Sequence, residues 1–258
     1  MSTLSFAARD SATMLRRNLK HLRRYPGMMI MSLGMPVLLL LLFVGVFGGV
    51  MQVGVGAGAY VDYLVSGILL MTVGYGASMT ALAVNRDMTE GIISRFRTMA
   101  ITRVSVLTGH VLGAVLRTLF SAVLVVAVAL LFGFRPAAGF GGWLATLGMV
   151  LLLAFALTWL AVAVGLAAKN AEGANLFILF VQVLPFLSSA FVPTDTMSGA
   201  VRWFARNEPF TPIIDTLRGL MLGTSVSGSA WIAVAWCTGF ALAGYVWARA
   251  LFRRDPAA

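Results

Sequence analysis

Lysine is scarce in this sequence, and the two lysines exclude a phosphate-binding loop. Lys20 is followed by His21, and Lys169 is followed by Asn170. A phosphate-binding loop requires Gly-Lys-Ser/Thr, because its backbone N–H groups surround the phosphates while the lysine reaches them. The sequence therefore contains no motif of this kind for binding ATP.

Cysteine, histidine and carboxylates are also rare. Cys237 is the only cysteine, so no intramolecular disulfide can form and the redox compartment cannot be inferred from cysteine usage. His21 and His110 have no cysteine or carboxylate cluster near them, which leaves no metal-binding motif. We expect no bound cofactor. An enzyme is the least favoured class, because no nucleophile–base pair or carboxylate pair is visible.

Charged residues make up 11% of the chain, whereas 60% is hydrophobic and the mean hydropathy is +0.92. Soluble domains contain roughly 45–50% apolar and about 25% charged residues. Lipid must therefore surround most of the chain, and lipid permits only helices or closed barrels. The apolar runs are continuous and about 20 residues long, which is typical of spanning helices and not of alternating barrel strands. The composition predicts an all-α integral membrane protein with a single domain over residues 1–258.

Six apolar segments are long enough to cross a bilayer. Of the 19 lysines and arginines, 14 lie on one side of these spans, four lie on the other side, and Arg117 lies within the third span. Cytoplasmic loops carry the excess of cations, so both termini are predicted to be cytoplasmic and the net charge of +10 does not indicate nucleic-acid binding. The first span and the basic segment before it are too long for a cleaved signal peptide, so we expect none. The spans cover residues 28–50, 60–84, 106–132, 143–167, 175–192 and 230–251.

The cytoplasmic segment of residues 1–27 predicts an amphipathic basic helix over residues 4–25. Leucines recur along it at helical spacing and cations cover its other side, as in helices that lie in the membrane interface. The alternative is that these cations only orient the protein.

The cytoplasmic loop of residues 85–105 contains a second short amphipathic pattern. Positions 92, 93, 96 and 99 are apolar and share one helix face, so the helix could occupy a groove on a partner protein. An interfacial helix lying on lipid headgroups explains the same pattern. The residues of interest are Asp87, Glu90, Ile92, Ile93, Arg95, Phe96, Arg97 and Met99.

The second span has a face of methionine, hydroxyl and tyrosine side chains. Such a face is soft and adaptable, which suits amphipathic compounds of varied shape. Ordinary helix packing in membranes also uses small hydroxyl residues. In the fifth span, Gln182 and Pro185 require protein or water around them, so they serve either a translocation path or helix packing. The candidate residues of the second span are Met71, Thr72, Tyr75, Ser78 and Met79.

Residues 193–229 are too apolar for a solvated loop and too interrupted by proline for a span. Helices that lie at the outer surface or re-enter the membrane fit this segment. Pro212 is placed to open a helix that runs to about Leu222 and stops at Gly223.

Two segments resemble the ABC export permeases of type two, in particular the daunorubicin/doxorubicin-type drug-resistance permeases. The loop of residues 86–103 has an acidic residue, a glycine, an apolar stripe and a final Thr102-Arg103. The segment Phe191-Val192-Pro193-Thr194-Asp195-Thr196-Met197, with Asn207-Glu208-Pro209-Phe210-Thr211-Pro212 and Leu217-Arg218-Gly219-Leu220, is the more specific part of the resemblance.

The resemblance implies a dimer of six-span permeases that carries two copies of a separate ABC ATPase subunit. The second permease chain is either identical or different, and ATP and Mg bind to the ATPase. The N-terminal helix becomes an interfacial elbow, residues 85–105 carry the coupling helix, and residues 193–229 form re-entrant outer helices. The path runs between the permeases and is lined by spans 2 and 5, and the location is the bacterial plasma membrane.

These observations predict the permease subunit of an ATP-driven exporter of drug-like or amphipathic compounds. The first alternative is export of a lipid-linked glycan or an envelope lipid. An ion-coupled secondary transporter is less favoured, because such proteins place ionisable residues at mid-membrane. A membrane scaffold without transport activity is the last alternative.

Overall fold

A computed structural model describes residues 26–48, 59–90, 103–168, 170–226 and 228–253. None of these ranges contains a β-strand, which confirms the all-α prediction. The predicted amphipathic helix of residues 4–25 and residues 91–102 lie outside them. The described α-helices are α1 (Pro26–Leu42), α2 (Ala59–Thr89), α3 (Arg103–Leu131), α4 (Phe140–Ala167), α5 (Ala171–Val183), α6 (Gly199–Asn207), α7 (Phe210–Leu222) and α8 (Ser229–Arg253).

Four of the described helices are long and apolar enough to cross a membrane, namely α2, α3, α4 and α8. They coincide with the second, third, fourth and sixth predicted spans. Shorter apolar helices, Gly34–Val46 and Ala171–Leu187, lie at the first and fifth predicted spans. Helix α1 continues into a π-helical turn at Phe43–Phe47, and α5 continues into a 3-10 turn at Leu184–Leu187.

Helix α2 lies at the centre and packs against α1, α3, α4, α5 and α7. Its 31 residues span about 46 Å at 1.5 Å per residue, which exceeds the roughly 30 Å of a hydrocarbon core. Leu64, Ile68 and Ala81 are fully buried along it. Helix α8 packs mainly on α4 and α7 and is the least buried of the four long helices.

Glycines allow α5 and the turn after it to approach α2 closely. A Cβ added at Gly74 would lie 2.7 Å from Cγ1 of Val181, and one added at Gly67 would lie 2.7 Å from the carbonyl oxygen of Ala190. Real Cβ atoms do not approach other atoms so closely. Spans 2 and 5 of the sequence prediction are therefore direct neighbours within the chain.

The segment between α5 and α8 forms short helices, as predicted. Helix α7 begins at Phe210, with Pro209 at its N-cap, which is two residues before the predicted opening at Pro212. It ends at Leu222, and the C-cap Gly223 has a φ of +69°. Only glycine adopts this left-handed conformation without strain, which is why the helix stops there.

Candidate functional site

The predicted path residues of α2 fall into two groups. Met71, Thr72 and Ser78 are buried, whereas Tyr75 and Met79 are half-buried. The hydroxyl of Thr72 donates to the carbonyl of Ile68 at 2.7 Å, and the hydroxyl of Ser78 donates to that of Gly74 at 2.8 Å. Both hydroxyls are thus satisfied within α2, so Tyr75 and Met79 are the members that present free side-chain surface.

Helix α5 packs against α2, and we call the contact between these two helices the seam. Gln182 and Pro185 lie on the α5 side of the seam. Gln182 is half-buried, and Pro185 is buried at the start of the 3-10 turn Leu184–Leu187. Proline lacks an N–H, so the regular α-helical ladder ends here and the chain turns toward Ser188 and Ser189. The structure therefore brings the two sets of predicted path residues onto neighbouring helices.

A polar cluster joins α2, the turn after α5, and α7 at one end of this seam. We call it the Tyr63 cluster, and it consists of Tyr63, Ser189, Thr211, Asp215 and Arg218. The carbonyl of Ser189 accepts from the Tyr63 hydroxyl and from Nη2 of Arg218, each at 2.7 Å. The backbone N–H of Ser189 donates to the Thr211 hydroxyl at 3.1 Å, and its own hydroxyl donates to Oδ1 of Asp215 at 2.7 Å. The break in α5 is therefore bonded to both helices.

Arg218 holds this cluster together. Its Nη1 donates to Oδ1 of Asp215 at 2.7 Å, and its guanidinium carbon lies 3.6 Å from the centroid of the Tyr63 ring. The Arg218 side chain is only 14% exposed, while that of Asp215 is 42% exposed. A planar guanidinium can stack on the ring while its forked N–H groups donate to two acceptors, whereas an ammonium has donors but no planar face to stack.

The sequence analysis did not identify this cluster. Asp215 and Arg218 are spaced i, i+3 within a helix that the sequence predicted, and this spacing places them on one face. That signal was available in the sequence. The carbonyl of Ser189 was not, because only the tertiary fold brings it to α7.

Glu208 caps the N-terminus of α7. Its carboxylate accepts from the backbone N–H of Phe210 at 2.7 Å and also from that of Thr211. The residue is 4% exposed. Burial raises the pKa of Glu208 from 4.5 to about 7, although the N–H donors of Phe210 and Thr211 and the Thr211 hydroxyl lower it.

This shift predicts a pH-dependent stability. Because the folded-state pKa of Glu208 exceeds its ordinary value, the folded protein binds this proton more tightly, and stability falls as pH rises from about 4.5 to about 7. We expect the unfolding temperature of the purified protein to decrease over this window by a few degrees more than that of Glu208→Gln. The exposed Glu172 is the matched control, since Glu172→Gln should keep the wild-type slope. Parallel slopes for wild type and Glu208→Gln would contradict the prediction.

Asn85 organises the other end of α2, which we call the Asn85 end. The residue is buried, and its Nδ2 donates to the carbonyl of Ala168 at 2.7 Å and to that of Gly165 at 3.4 Å. These carbonyls lie at the C-terminus of α4, where helical acceptors are left unpaired. Asn170, two residues after Ala168, caps α5, and its side-chain oxygen accepts from the N–H of Gly173 at 2.9 Å. Asn85 thus fixes the end of α2 to the α4–α5 turn.

The coupling residues predicted from sequence begin directly after Asn85. Asp87 is half-buried and Glu90 is exposed at the end of α2. Nε of Arg86 lies 3.7 Å from Oε1 of Glu90 in an exposed i, i+4 pair, which contributes little stability. The other residues lie outside the described ranges, namely Ile92, Ile93, Arg95, Phe96, Arg97 and Met99.

Asn85→Ala should loosen the connection between α2 and the α4–α5 turn. The substitution removes the donor to the carbonyl of buried Gly165 and to that of half-buried Ala168, which costs about 1–3 kcal/mol, and we expect a lower unfolding temperature. Asn207 is the control, because its Nδ2 makes an equivalent 2.7 Å bond to the carbonyl of Trp203 in an exposed position. Thermal unfolding in detergent should rank Asn207→Ala with wild type and Asn85→Ala clearly below both. Equal losses in the two variants would show that Asn85 has no special structural role.

The described ranges contain no group of three or more His, Cys, Asp or Glu side chains that could hold a metal ion. The chemistry available at the seam is therefore that of adaptable apolar contacts, hydroxyls and amides next to a charged cluster.

The sequence is similar to one protein family and to known permeases. Residues 10–222 match the protein family described as ABC-2 type transporter. The chain is 28% identical over 222 residues to the daunorubicin resistance ABC transporter permease protein DrrB1 of Streptomyces coeruleorubidus, covering 85% of this chain and 77% of that protein. It is 24% identical over 164 residues to the probable doxorubicin resistance ABC transporter permease protein DrrC of Mycobacterium tuberculosis, covering 64% of this chain and 59% of that one.

Proposed function

The chain belongs to the ABC-2 type transporter family, and from that premise we propose that it is the permease subunit of an ATP-driven exporter of drug-like or amphipathic lipophilic compounds. The single observation that carries the proposal is the family match over residues 10–222. The names of the relatives, which are drug-resistance permeases, support the class of cargo. The four long apolar helices support a location in the membrane.

In this proposal the substrate enters from the cytoplasm or the inner leaflet and contacts the seam between α2 and α5. Tyr75, Met79 and Gln182 carry the contact, because they are the half-buried members of the predicted set. Methionine and tyrosine adapt to varied apolar shapes without a fixed hydrogen-bond pattern. The buried members, Met71, Thr72, Ser78 and Pro185, keep the two helices in register and become accessible only if α2 and α5 separate.

The Tyr63 cluster closes the outer end of this path. It bonds the turn after α5 to α2 and α7, so the seam cannot open there while the carbonyl of Ser189 keeps its two donors. The excess of cations at the Asn85 end assigns the Tyr63 end to the outside. Both termini then lie in the cytoplasm of a bacterial cell.

Energy comes from outside the chain. Two ABC ATPase subunits bind ATP and Mg, and a second permease chain, identical or different, completes the transporter. The apolar stripe of residues 92–99 lies in a groove on the ATPase, and Asn85 transmits its movement to the α4–α5 turn. Such coupling requires that ATP and substrate each favour a different conformation, so that each changes the affinity for the other.

The test of coupling is Phe96→Asp. A carboxylate in the apolar stripe should prevent the helix-in-groove contact, so drug export and drug-stimulated ATP hydrolysis by the complex should fall roughly tenfold or more while membrane insertion is retained. Ser94 lies on the opposite side of the predicted helix, and Ser94→Asp should keep both activities. Unchanged transport in Phe96→Asp would remove the coupling role.

The cargo is tested separately. Deletion of the gene should sensitise cells to amphipathic lipophilic drugs. Accumulation of a lipid-linked envelope precursor without drug sensitivity would instead identify a glycan or lipid exporter with the same mechanism.

A further inference from the structure

Arg117 is a charged residue inside a stretch of α3 that otherwise consists of apolar and small residues. It lies in the apolar stretch Val111–Leu131 of α3 and is the only ionisable residue of that stretch. It follows Val111 by six residues, which places its Cα about 9 Å along the helix from the start of the stretch. A guanidinium at this depth is costly unless an anion or water reaches it.

Within the ranges that the structure describes, no hydrogen bond or ion pair reaches the guanidinium of Arg117. Apart from the backbone bonds of the helix, the residue takes part in one bond, in which its carbonyl accepts from the Ser121 hydroxyl at 3.1 Å. Three other arginines of the described ranges are paired with carboxylates: Arg86 with Glu90, Arg206 with Asp195 and Arg218 with Asp215. The described part of the chain thus supplies no anion to the guanidinium of Arg117.

The surface around Arg117 is apolar. The residue is half-buried, at the border between the face of α3 that packs inward, which includes Val115 and Thr118, and its exposed face. Leu112, Leu116 and Phe120 are 45%, 46% and 55% exposed on that face. Apolar side chains exposed on a spanning helix match acyl chains, whereas a soluble anion gains nothing from them.

The direction of the Arg117 side chain determines the depth of its guanidinium along α3. Helical side chains tilt toward the N-terminus of their helix, and an arginine extends by about 6 Å, so the guanidinium of Arg117 reaches to within roughly 3 Å of the level of Val111. His110 directly precedes this stretch in the sequence, so we place the boundary between hydrocarbon and headgroups at this level, at the Asn85 end of the protein. Lipid phosphates are the anions found there.

We propose that Arg117 binds the phosphate of an anionic phospholipid in the leaflet at the Asn85 end, with the acyl chains lying along Leu112, Leu116 and Phe120. The guanidinium donates two parallel hydrogen bonds to phosphate oxygens, a geometry that arginine favours and lysine cannot reproduce. A net negative headgroup, such as phosphatidylglycerol, is preferred because no headgroup cation competes for the phosphate. The site holds α3 at a fixed depth and is independent of the cargo.

The experiment measures retained lipid. The full-length chain is purified in mild detergent, exchanged into mixtures of phosphatidylglycerol and phosphatidylcholine, and analysed by native mass spectrometry. Wild type should retain phosphatidylglycerol in preference to phosphatidylcholine. Arg117→Gln should lower this retention at least about threefold, and Arg117→Lys should lie between them. Arg206→Gln is the control, since that guanidinium is already paired with Asp195, and it should match wild type.

A displacement measurement and a comparison of lipid retention between variants can each overturn the proposal. Glycerol phosphate, which has the headgroup but no acyl chains, should not displace the bound lipid, whereas displacement would show a site for soluble phosphate and overturn the proposal. Equal retention by wild type and Arg117→Gln would overturn it as well. If Arg117→Gln does not fold, Arg117→Lys is used alone, and retention equal to wild type in that variant contradicts bidentate phosphate binding. Because no transport is measured, the outcome does not depend on the proposed function.

Discussion

Replacing Arg218 with alanine is expected to abolish net drug export and to make the transporter leaky. The substitution removes the contacts that bond the turn after α5 to α2 and α7, so the outer end of the seam is no longer held closed. Breaking a buried ion pair costs roughly 3–5 kcal/mol, and because Asp215 is partly exposed we expect about 2 kcal/mol here. A loss of about 2 kcal/mol shifts the equilibrium between the closed and the open state of the Tyr63 cluster by about thirtyfold. In vesicles containing the complete transporter, ATP-driven accumulation should fall at least about tenfold while drug leakage without ATP rises.

The leak separates a gating role from a merely structural one. A variant that only misfolds transports less but does not pass drug passively. Arg206→Ala is the matched control, because Arg206 and Asp195 form an ion pair at the same end with side chains 54% and 77% exposed, and such pairs contribute little. Arg218→Lys should leak less than Arg218→Ala, since it keeps the charge but not the forked geometry. A tight, slowly pumping Arg218→Ala transporter would show that the Tyr63 cluster does not close the path.

Replacing Gly244 with alanine should cause the largest loss of folded protein. A Cβ at Gly244 in α8 would lie 2.5 Å from the backbone nitrogen of Leu160 and 2.7 Å from the backbone carbon of Trp159 in α4. Backbone atoms cannot move aside as side chains can, so α8 must shift away from α4, its main packing partner. Overpacking of this kind typically costs about 1–3 kcal/mol or more. We expect a clearly lower unfolding temperature and a reduced yield in size-exclusion chromatography.

Gly239 provides an internal control in the same helix. A Cβ there meets no atom within 4 Å. Alanine is the better helix former by about 0.8–1.0 kcal/mol, so Gly239→Ala should leave the unfolding temperature unchanged or raise it. Opposite signs for the two glycines support the α4–α8 packing, and similar effects would contradict it.

The sequence predicted the parts of the fold that depend on local chemistry. The apolar runs gave the membrane class and the positions of the long helices, because hydropathy acts residue by residue along a span. Pro212 predicted the start of α7 to within two residues. Gly223 predicted its end, because the left-handed conformation at that position is a local requirement. The family resemblance implied that spans 2 and 5 line one path, but their direct contact at Gly67 and Gly74 is a finding of the structure.

The candidate site was predicted only in part, because burial and long-range bonds are tertiary properties. Periodicity placed Thr72, Tyr75 and Ser78 on one face of α2 but could not show that two of these hydroxyl side chains are buried and bonded within their own helix. The acceptor at Ser189 is a backbone carbonyl, which has no signature in a sequence. Asn85 likewise appeared only as the first residue of a loop, because its acceptors lie 80 and 83 residues later in the chain.

Reconstitution tests the central claim most directly. The purified chain is incorporated into lipid vesicles alone, or together with the ABC ATPase subunit that we propose as its partner, and the movement of a fluorescent lipophilic drug is followed before and after ATP is added. The proposal predicts no ATP hydrolysis and no ATP-dependent movement with the chain alone, and both activities when the ATPase is present. ATP-dependent or ion-gradient-driven transport by the chain alone would contradict it.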